Sequence, residues 1–442
     1  MTDASRPLAR IAWRNVHKHW RHSLGAMLSI VVGFIAIGLF EGYISELDRF
    51  QGDWYIYRGM LGHVVIEQRG ASGSQGREDP WKYALDRREQ QFIDTYLAER
   101  ADDVDTRARI LQLAGLASTG RSGVMFVAWG VDVDEGRRIR RDWAWDVTAG
   151  RPLYEAGGNA VILGNGLGAL LDCEGPPPAT AIGRDGKPTS ERRPLTCRQA
   201  RAQLSSTTET GQLNVVEPEI VGLFDAGLKD IDNKFLHMPL PLAQQLADTE
   251  AVTMYAVLLD DGVDPAAFAA ALGEAARAKG LDLAVVPWHD HVTAELYRRT
   301  QSIFAVYRNL VVLIVVAIAG MSVLTTMLKS VNERVREIGT LRSLGFRRRH
   351  VLTLFTLEAG MLAAVSSAVG FAATVALIRL INGAGISYNG GMAATPIPLA
   401  VGLVPAACIF AVVFLSGVAM LAALVPARRA ARLSIPDALG HV

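Results

Sequence analysis

Four runs of the chain are apolar over a length that suits a bilayer, and they are unevenly placed. The first, LGAMLSIVVGFIAIGLF (24–40), extends to about Ile44. The second is NLVVLIVVAIAGMSVLTTML (309–328), the third lies within 351–381, and the fourth is IPLAVGLVPAACIFAVVFLSGVAMLAALV (397–425). A helix needs about 20 apolar residues to cross about 30 Å of hydrocarbon. Transmembrane helices are therefore predicted over 24–45, 301–328, 351–382 and 397–426. The first reads as a retained anchor rather than a cleaved signal peptide, because FEGYISELD follows it and no small-x-small cleavage site stands out. Ahead of it, Arg10, Arg14, Lys18 and Arg21 fall on one side of a helical wheel, and Leu8, Ala12, Val16 and Trp20 on another. Residues 1–23 are expected to form an amphipathic helix lying on the membrane surface.

Between the first and second runs the pattern changes. GHVVIEQRG (62–70), EIVGLF (219–224) and MYAVLLDD (254–261) read as strands. REQQFIDTYLAER (88–100) and DPAAFAAALGEAARAKG (264–280) read as helices. Strands and helices alternate without a strict βαβ rhythm, so 46–300 is expected to be a folded α+β domain with two subdomains. The fold class is thus a membrane protein of four transmembrane α-helices, with a large α+β domain inserted between spans 1 and 2. Within that domain 173–197 is rich in Pro, Gly and charge and reads as an exposed loop.

Charge gives an orientation. The N-terminal tail holds Arg6, Arg10, Arg14, Lys18 and Arg21. Segment 329–350 holds Lys329, Arg334, Arg336, Arg342, Arg347, Arg348 and Arg349, and the tail over 427–442 holds Arg428, Arg429 and Arg432. The short loop 383–396 holds no Lys or Arg. The positive-inside rule then places both termini and 329–350 in the cytoplasm, with 46–300 and 383–396 outside it. On that oxidising side Cys173 and Cys197 are expected to form a disulfide, closing a ring of about 25 residues and stabilising by about 3 kcal/mol. Cys408, inside the fourth run, reads as a small packing residue.

The net charge of +1 over 442 residues offers no basic field for nucleic acid. Chemistry is hard to find. GRDGKPT (183–189) has the wrong spacing for a phosphate loop. GNGLG (164–168) reads as a strand–turn–helix junction rather than a dinucleotide fingerprint, and no GxSxG elbow occurs. His17, His19 and His22 sit beside cations that would repel a metal. His289, Asp290, His291 and Glu295 have ligand-like spacing, but nothing else marks a zinc site there, and solvated polar side chains at the start of a long helix account for them. No catalytic residue, metal or bound cofactor is expected. No charged residue falls inside the apolar stretches of spans 1, 2 and 4 (24–40, 309–328 and 397–425), and span 3 contributes Glu358 and Arg379 near its ends. That is a poor lining for a polar solute, so the expected work is mechanical.

Segment 329–350 is denser than an inside flank requires. Val331, Val335, Ile338, Leu341 and Leu344 recur at three- and four-residue intervals, among Glu333, Arg334, Arg336, Glu337 and Arg342. This predicts an amphipathic helix, broken near Gly339 and ended by Gly345, suited to a groove on a partner protein. The same stretch, continued to Leu357, Glu358 and Ala359, resembles the signature of the MacB–FtsX permeases, the mechanotransmission-type ABC transporters. VPARRAARLSIPDAL (425–439) is similar to that family's tail, and LARIAWRNVHKHWRHSL (8–24) to its entry into span 1. With about 23 residues before span 1 and about 250 external residues, the chain looks most like the lipoprotein-releasing LolC and LolE subunits. GLFDAGLKDIDNKFLHMPLPLAQQL (222–246) and VILGNGLGALL (161–171) support that likeness, while the cysteine-bracketed loop departs from it.

The resemblance implies a multi-pass permease of the bacterial inner membrane that is not itself an enzyme. A separate cytoplasmic ABC ATPase dimer would bind ATP and Mg, and would seat Glu333, Arg334, Arg336, Glu337, Ile338, Gly339, Leu341, Arg342, Leu344 and Gly345 of each of two permeases. The second permease would be another copy or a paralogue. A stalk over 291–309 would carry motion to the periplasmic domain, which would act on a lipoprotein or other lipid-linked substrate with a periplasmic chaperone or adaptor. Three other readings compete. One is MacB-like efflux with separate ATPase and adaptor, and another is FtsX-like control of a cell-wall hydrolase. The third is an anchored enzyme that uses His289 and His291.

Overall fold

The computed structural model describes residues 10, 12–14, 20–120, 123–141, 143, 147–174, 193–388 and 397–432. The chain divides into two compact units. One comprises Met1–Asp48, Thr300–Ile386 and Leu399–Val442, and the other Arg49–Arg299 and Ser387–Pro398.

The inserted unit is built on strands, several of which, such as AVILG and MYAVLL, are apolar throughout. They are β1 (Val64–Gln68), β2 (Val104–Ser118), β3 (Gly123–Val131), β4 (Val147–Gly150), β5 (Ala160–Gly164), β6 (Cys173–Glu174), β7 (Thr196–Cys197), β8 (Gln203–Thr207), β9 (Leu213–Val216), β10 (Glu219–Phe224), β11 (Phe235–Pro239), β12 (Met254–Leu259) and β13 (Leu283–Pro287). Among the described residues all but β6 and β7 join one sheet, in the order β13-β1-β12-β2-β3-β11-β5-β10-β4, with β8 and β9 added beside β2. Two pairings are parallel, β5 with β10 and β3 with β11.

Side chains alternate between faces along a strand, and over strands such as β5 and β12 both faces are covered. Val64, Ile66, Leu111, Leu163, Tyr255 and Val257 enter one core. Their neighbours Val65, Ile110, Ile162, Ala256 and Leu258 enter another. A sheet buried on both sides has no polar face to alternate with, which is why AVILG and MYAVLL are unbroken apolar runs. The helices Arg87–Ala98, Leu240–Ala247 and Pro265–Ala278 cover the first face through Ile93, Leu97, Leu242, Leu246, Phe268 and Leu272. Asp86 starts the first of these with a full capping box to Glu89, and Asp264 followed by Pro265 starts the last. One sheet running through the unit replaces the two subdomains expected from the sequence. Strands β5, β10 and β11 extend it, instead of starting a second domain, because they too are buried on both faces.

β6 and β7 form a separate two-stranded ladder in which Cys173 faces Cys197, and the two are joined by a disulfide. Most of the loop they bracket, 175–192, lies outside the described residues.

The other unit is helical. Its long helices are Trp20–Asp53, Glu295–Glu333, Arg348–Ala384 and Pro405–Arg432, and each is long and apolar enough to cross a membrane. At about 1.5 Å per residue the second, of 39 residues, is about 58 Å long, well beyond the hydrocarbon thickness. Ile30, Phe34, Val315, Val323, Leu362 and Leu415 share an apolar core. Small residues allow close approach: a Cβ on Gly370 would lie 2.8 Å from Phe34, and one on Gly33 would lie 2.7 Å from Val315.

The fourth helix begins at Pro405, not at Ile397 as the hydropathy suggested. Pro398 and Pro405 each remove a backbone donor. The stretch between them runs as non-helical backbone, and the Asn382 side chain exchanges two hydrogen bonds of 3.0 Å with the backbone of Val401. At its other end this helix passes through Pro426 to Arg432, beyond the predicted limit at 426. The predicted amphipathic helix over 1–23 lies largely outside the described residues, as do His17, His19, 389–396 and 433–442. Of its expected apolar side, Ala12 is buried against Leu354.

Candidate functional site

The segment over 329–350 is helical, but its break falls elsewhere than predicted. The second long helix ends at Glu333, Arg334 leaves helical geometry at φ −115° and ψ 20°, and a short helix runs over Val335–Ser343. Gly339 lies buried inside that short helix rather than interrupting it. Gly345, at φ +96°, ends the segment in the left-handed region as expected of a glycine there.

Arg334 explains the break. Its Nη1 lies 3.1 Å from both carboxylate oxygens of Glu358, and its Nε donates to Glu337 at 2.9 Å. The side chains of Arg334 and Glu358 are only 9% and 5% exposed. The guanidinium also lies 5.5 Å from the centre of the Phe355 ring. An arginine taken out of water needs such a set of acceptors, and turning its backbone out of the helix lets it reach them. The pair therefore fastens the short helix to the third long helix.

The apolar stripe of the short helix faces inward. Val331 and Ile338 pack with Val351, Phe355, Ala427, Ala430 and Ala431. Leu341 is half-buried beside Leu354 and Ala12. The sequence placed Val331, Val335, Ile338, Leu341 and Leu344 together as a stripe for a partner's groove. The chain itself occupies most of it, because the third and fourth long helices supply the facing apolar surface. What remains on the outside is Glu333, Arg336, Glu337, Thr340, Ser343 and Gly345, together with Leu344, which is 74% exposed. Arg342 is half-buried. Glu358 is the residue that sequence reasoning left unpaired. Its signal was present, since a carboxylate within an apolar run calls for a cation.

A second constellation lies in the inserted unit. Following the first long helix, Trp54–Arg58 forms a π-helical turn, and Met60 (φ 51°) and Gly62 (φ 64°) then reverse the chain. Tyr55 stacks on Trp288 at 5.5 Å, and Tyr297 packs beside both. Arg58 donates to the Asp225 carbonyl at 2.8 Å and pairs with its carboxylate at 3.4 Å. Arg140, fully buried, donates to the Arg58 carbonyl at 2.7 Å. Gly227 (φ +82°) donates its N–H to Asp225 Oδ1 at 2.7 Å, and a Cβ there would lie 2.6 Å from Trp54 Nε1. Asp232 accepts from the backbone N–H groups of Asn165, Gly166 and Ala226, which ties this loop to the junction at GNGLG. Of these residues Trp54, Tyr55, Arg58, Arg140, Asp225 and Ala226, together with Trp129, Phe224, Phe235 and His237, line a cavity of about 100 Å³.

Burial, and the neighbouring Arg140 cation, push His237 well below its ordinary value. An unfolded chain therefore binds a proton here that the folded one refuses, so stability falls as pH drops below about 6.5, by at most about 1.4 kcal/mol per unit. The thermal midpoint of the purified chain should fall between pH 7 and pH 5.5, and His237→Gln should flatten that fall. An equally steep fall in the variant would contradict the assignment.

His291 and His289 are not brought together. His291 is buried, with Nε2 3.3 Å from Glu67 and from Ser72, while His289 is half-exposed beside Asp290. Among the described residues no group of three His, Cys, Asp or Glu side chains gathers at ligand distance. The fold places GNGLG at the junction of β5 with the helix Asn165–Leu170, where Gly166 meets Asn233.

Four helices long and apolar enough to cross a membrane, with a large α/β domain between the first two, define the architecture of a membrane protein. Residues 309–435 match the family described as FtsX-like permease C-terminal. The chain is 32% identical over 151 residues to the pyoverdine export ATP-binding/permease protein PvdT of Pseudomonas putida, covering 34% of this chain and 21% of that protein. It is 31% identical over 135 residues to the macrolide export ATP-binding/permease protein MacB of Wolinella succinogenes, covering 30% and 19%. The chain thus spans about a fifth of the length of these curated relatives. Among solved structures it is similar to the periplasmic region of MacB from Actinobacillus actinomycetemcomitans, with 12% identity, a TM-score of 0.34 and coverage of 55% of this chain and 95% of that one.

Proposed function

We propose that this chain is the permease subunit of an ABC transporter of the MacB/FtsX type, driven by an ATPase carried on a separate cytoplasmic protein. The match of 309–435 to the FtsX-like permease domain carries this reading. The short helix Val335–Ser343 is the coupling element, and it lies within that match. It rests on the chain's own helices through Ile338 and Arg334, and presents Leu344, Arg336, Glu337 and Thr340 to the ATPase. Because Arg334 is bonded to Glu358, a push on the short helix passes directly into the third long helix. Both termini face the cytoplasm, and the inserted α/β domain works in the periplasm. There it acts on an amphipathic or lipid-linked substrate, lipoproteins among them, with a second permease copy or paralogue and a periplasmic partner. A second reading, export of a small molecule as in the relatives named for pyoverdine and macrolide export, is favoured by those matches.

Affinity capture of the full chain from its own membranes tests the proposal. An ATP-binding subunit should co-elute and hydrolyse ATP. Elution of the intact permease with no ATP-binding protein would contradict it.

A further inference from the structure

The last long helix carries one surface stripe from its apolar part into its charged end. Leu421, Val425, Arg428 and Arg432 recur at four- and three-residue intervals, so they lie in one line along it. Leu421 and Val425 are 67% and 50% exposed, and Arg428, Arg429 and Arg432 are exposed too. On a membrane-crossing helix, such leucine and valine side chains face lipid tails, and cations that continue their stripe reach the headgroups. Three more exposed arginines, Arg347, Arg348 and Arg349, open the third long helix. They stand at the same end, because Val351 shares an apolar cluster with Ala427, Ala430 and Ala431. The neighbouring carboxylates are already paired, Glu333 with Lys329, and Glu337 and Glu358 with Arg334. Among the described residues none of the six arginine side chains makes an ion pair. Trp13 is exposed next to Ala12, which packs on Leu354, one turn inward of Val351. Tryptophan collects at the headgroup level of a bilayer.

We propose that Arg428, Arg429 and Arg432, with Arg347, Arg348 and Arg349 beside them, bind the phosphate of an anionic phospholipid whose chains lie along Val425 and Leu421. Clusters of about four to eight Lys or Arg residues next to a span attract anionic lipid. All six cations here are arginine, whereas lysine would serve equally if charge alone mattered. The guanidinium fork donates two parallel N–H groups to phosphate oxygens, where an ammonium offers only a point charge. A zwitterionic lipid brings its own cation to the headgroup and would be repelled. An acidic protein surface would satisfy the arginines but not the exposed apolar stripe that leads into them, and this favours lipid. The site needs only that the fourth long helix crosses the membrane, and it needs no ATPase.

Native mass spectrometry of the purified full chain in detergent micelles, titrated with phosphatidylglycerol or phosphatidylcholine, tests this. The wild type should retain phosphatidylglycerol at least tenfold more tightly than phosphatidylcholine, and added inorganic phosphate should not displace it. The triple variant Arg428→Gln/Arg429→Gln/Arg432→Gln changes only exposed side chains, so its thermal midpoint should hold while retention falls at least tenfold. Arg347→Gln/Arg348→Gln/Arg349→Gln should lose retention in the same direction. Arg379→Gln removes an exposed arginine at the opposite end of the third long helix and should change nothing. Equal retention of the two lipids would leave the arginines to an acidic protein surface and overturn the proposal. So would equal retention by wild type and both triple variants, an equal loss in Arg379→Gln, or displacement by inorganic phosphate.

Discussion

Truncating Glu358 to alanine is expected to destabilise the permease domain by about 3–5 kcal/mol, because it leaves the buried Arg334 without its main counter-charge. Glu337 would remain as a partner, but it is largely exposed and cannot replace a carboxylate buried against the guanidinium. Against the roughly 5–15 kcal/mol by which domains are stable, that loss should appear as a large drop in thermal midpoint and in yield of folded protein. Replacing both partners with apolar residues, Arg334→Met with Glu358→Leu, removes the stranded charge and should recover much of the stability. The double-mutant cycle separates the pair's coupling from the cost of each change. If Glu358→Ala melts with the wild type, the two side chains do not form the clamp described here.

The second expectation concerns function without stability. Leu344→Asp alters an exposed side chain, so folding should change by no more than about 0.5 kcal/mol. Coupling should nevertheless fail. An apolar anchor at the centre of a docking surface contributes about 2 kcal/mol or more, about 30-fold in affinity. Permease-dependent ATP hydrolysis and complementation of a deletion strain should fall by at least tenfold. Ile338→Asp should behave in the opposite order, losing folded protein first, because Ile338 is buried among the ends of three helices. A Leu344→Asp protein that complements fully would remove this residue from the coupling surface.

Much of the architecture was legible because its signals are strong and local. The apolar runs gave four helices, and EIVGLF, MYAVLL and the capped helix after Asp86 appear close to where the pattern put them. Boundaries were less legible. A proline-containing apolar run reads as helix by hydropathy alone, so the non-helical stretch from Ile397 to Val404 was taken into the fourth span. The single sheet was hidden because strand pairing such as β3 with β11 joins residues more than a hundred apart. In the coupling segment the periodicity predicts an apolar stripe without saying what covers it. A stripe of Val331, Ile338 and Leu341 looks the same whether it faces a partner or the chain's own third and fourth helices. The cavity around Asp225 left no signal, since Trp54, Trp129, Phe224 and His237 come from separate elements that only the fold brings together.

Site-directed cross-linking tests the central claim, that an ATPase contacts the exposed end of the short helix. A cysteine placed at Leu344, in membranes holding the assembled complex, should form an adduct with an ATP-binding protein, and a cysteine at the buried Ile338 should form none. An adduct from neither position, or from both equally, would contradict the account.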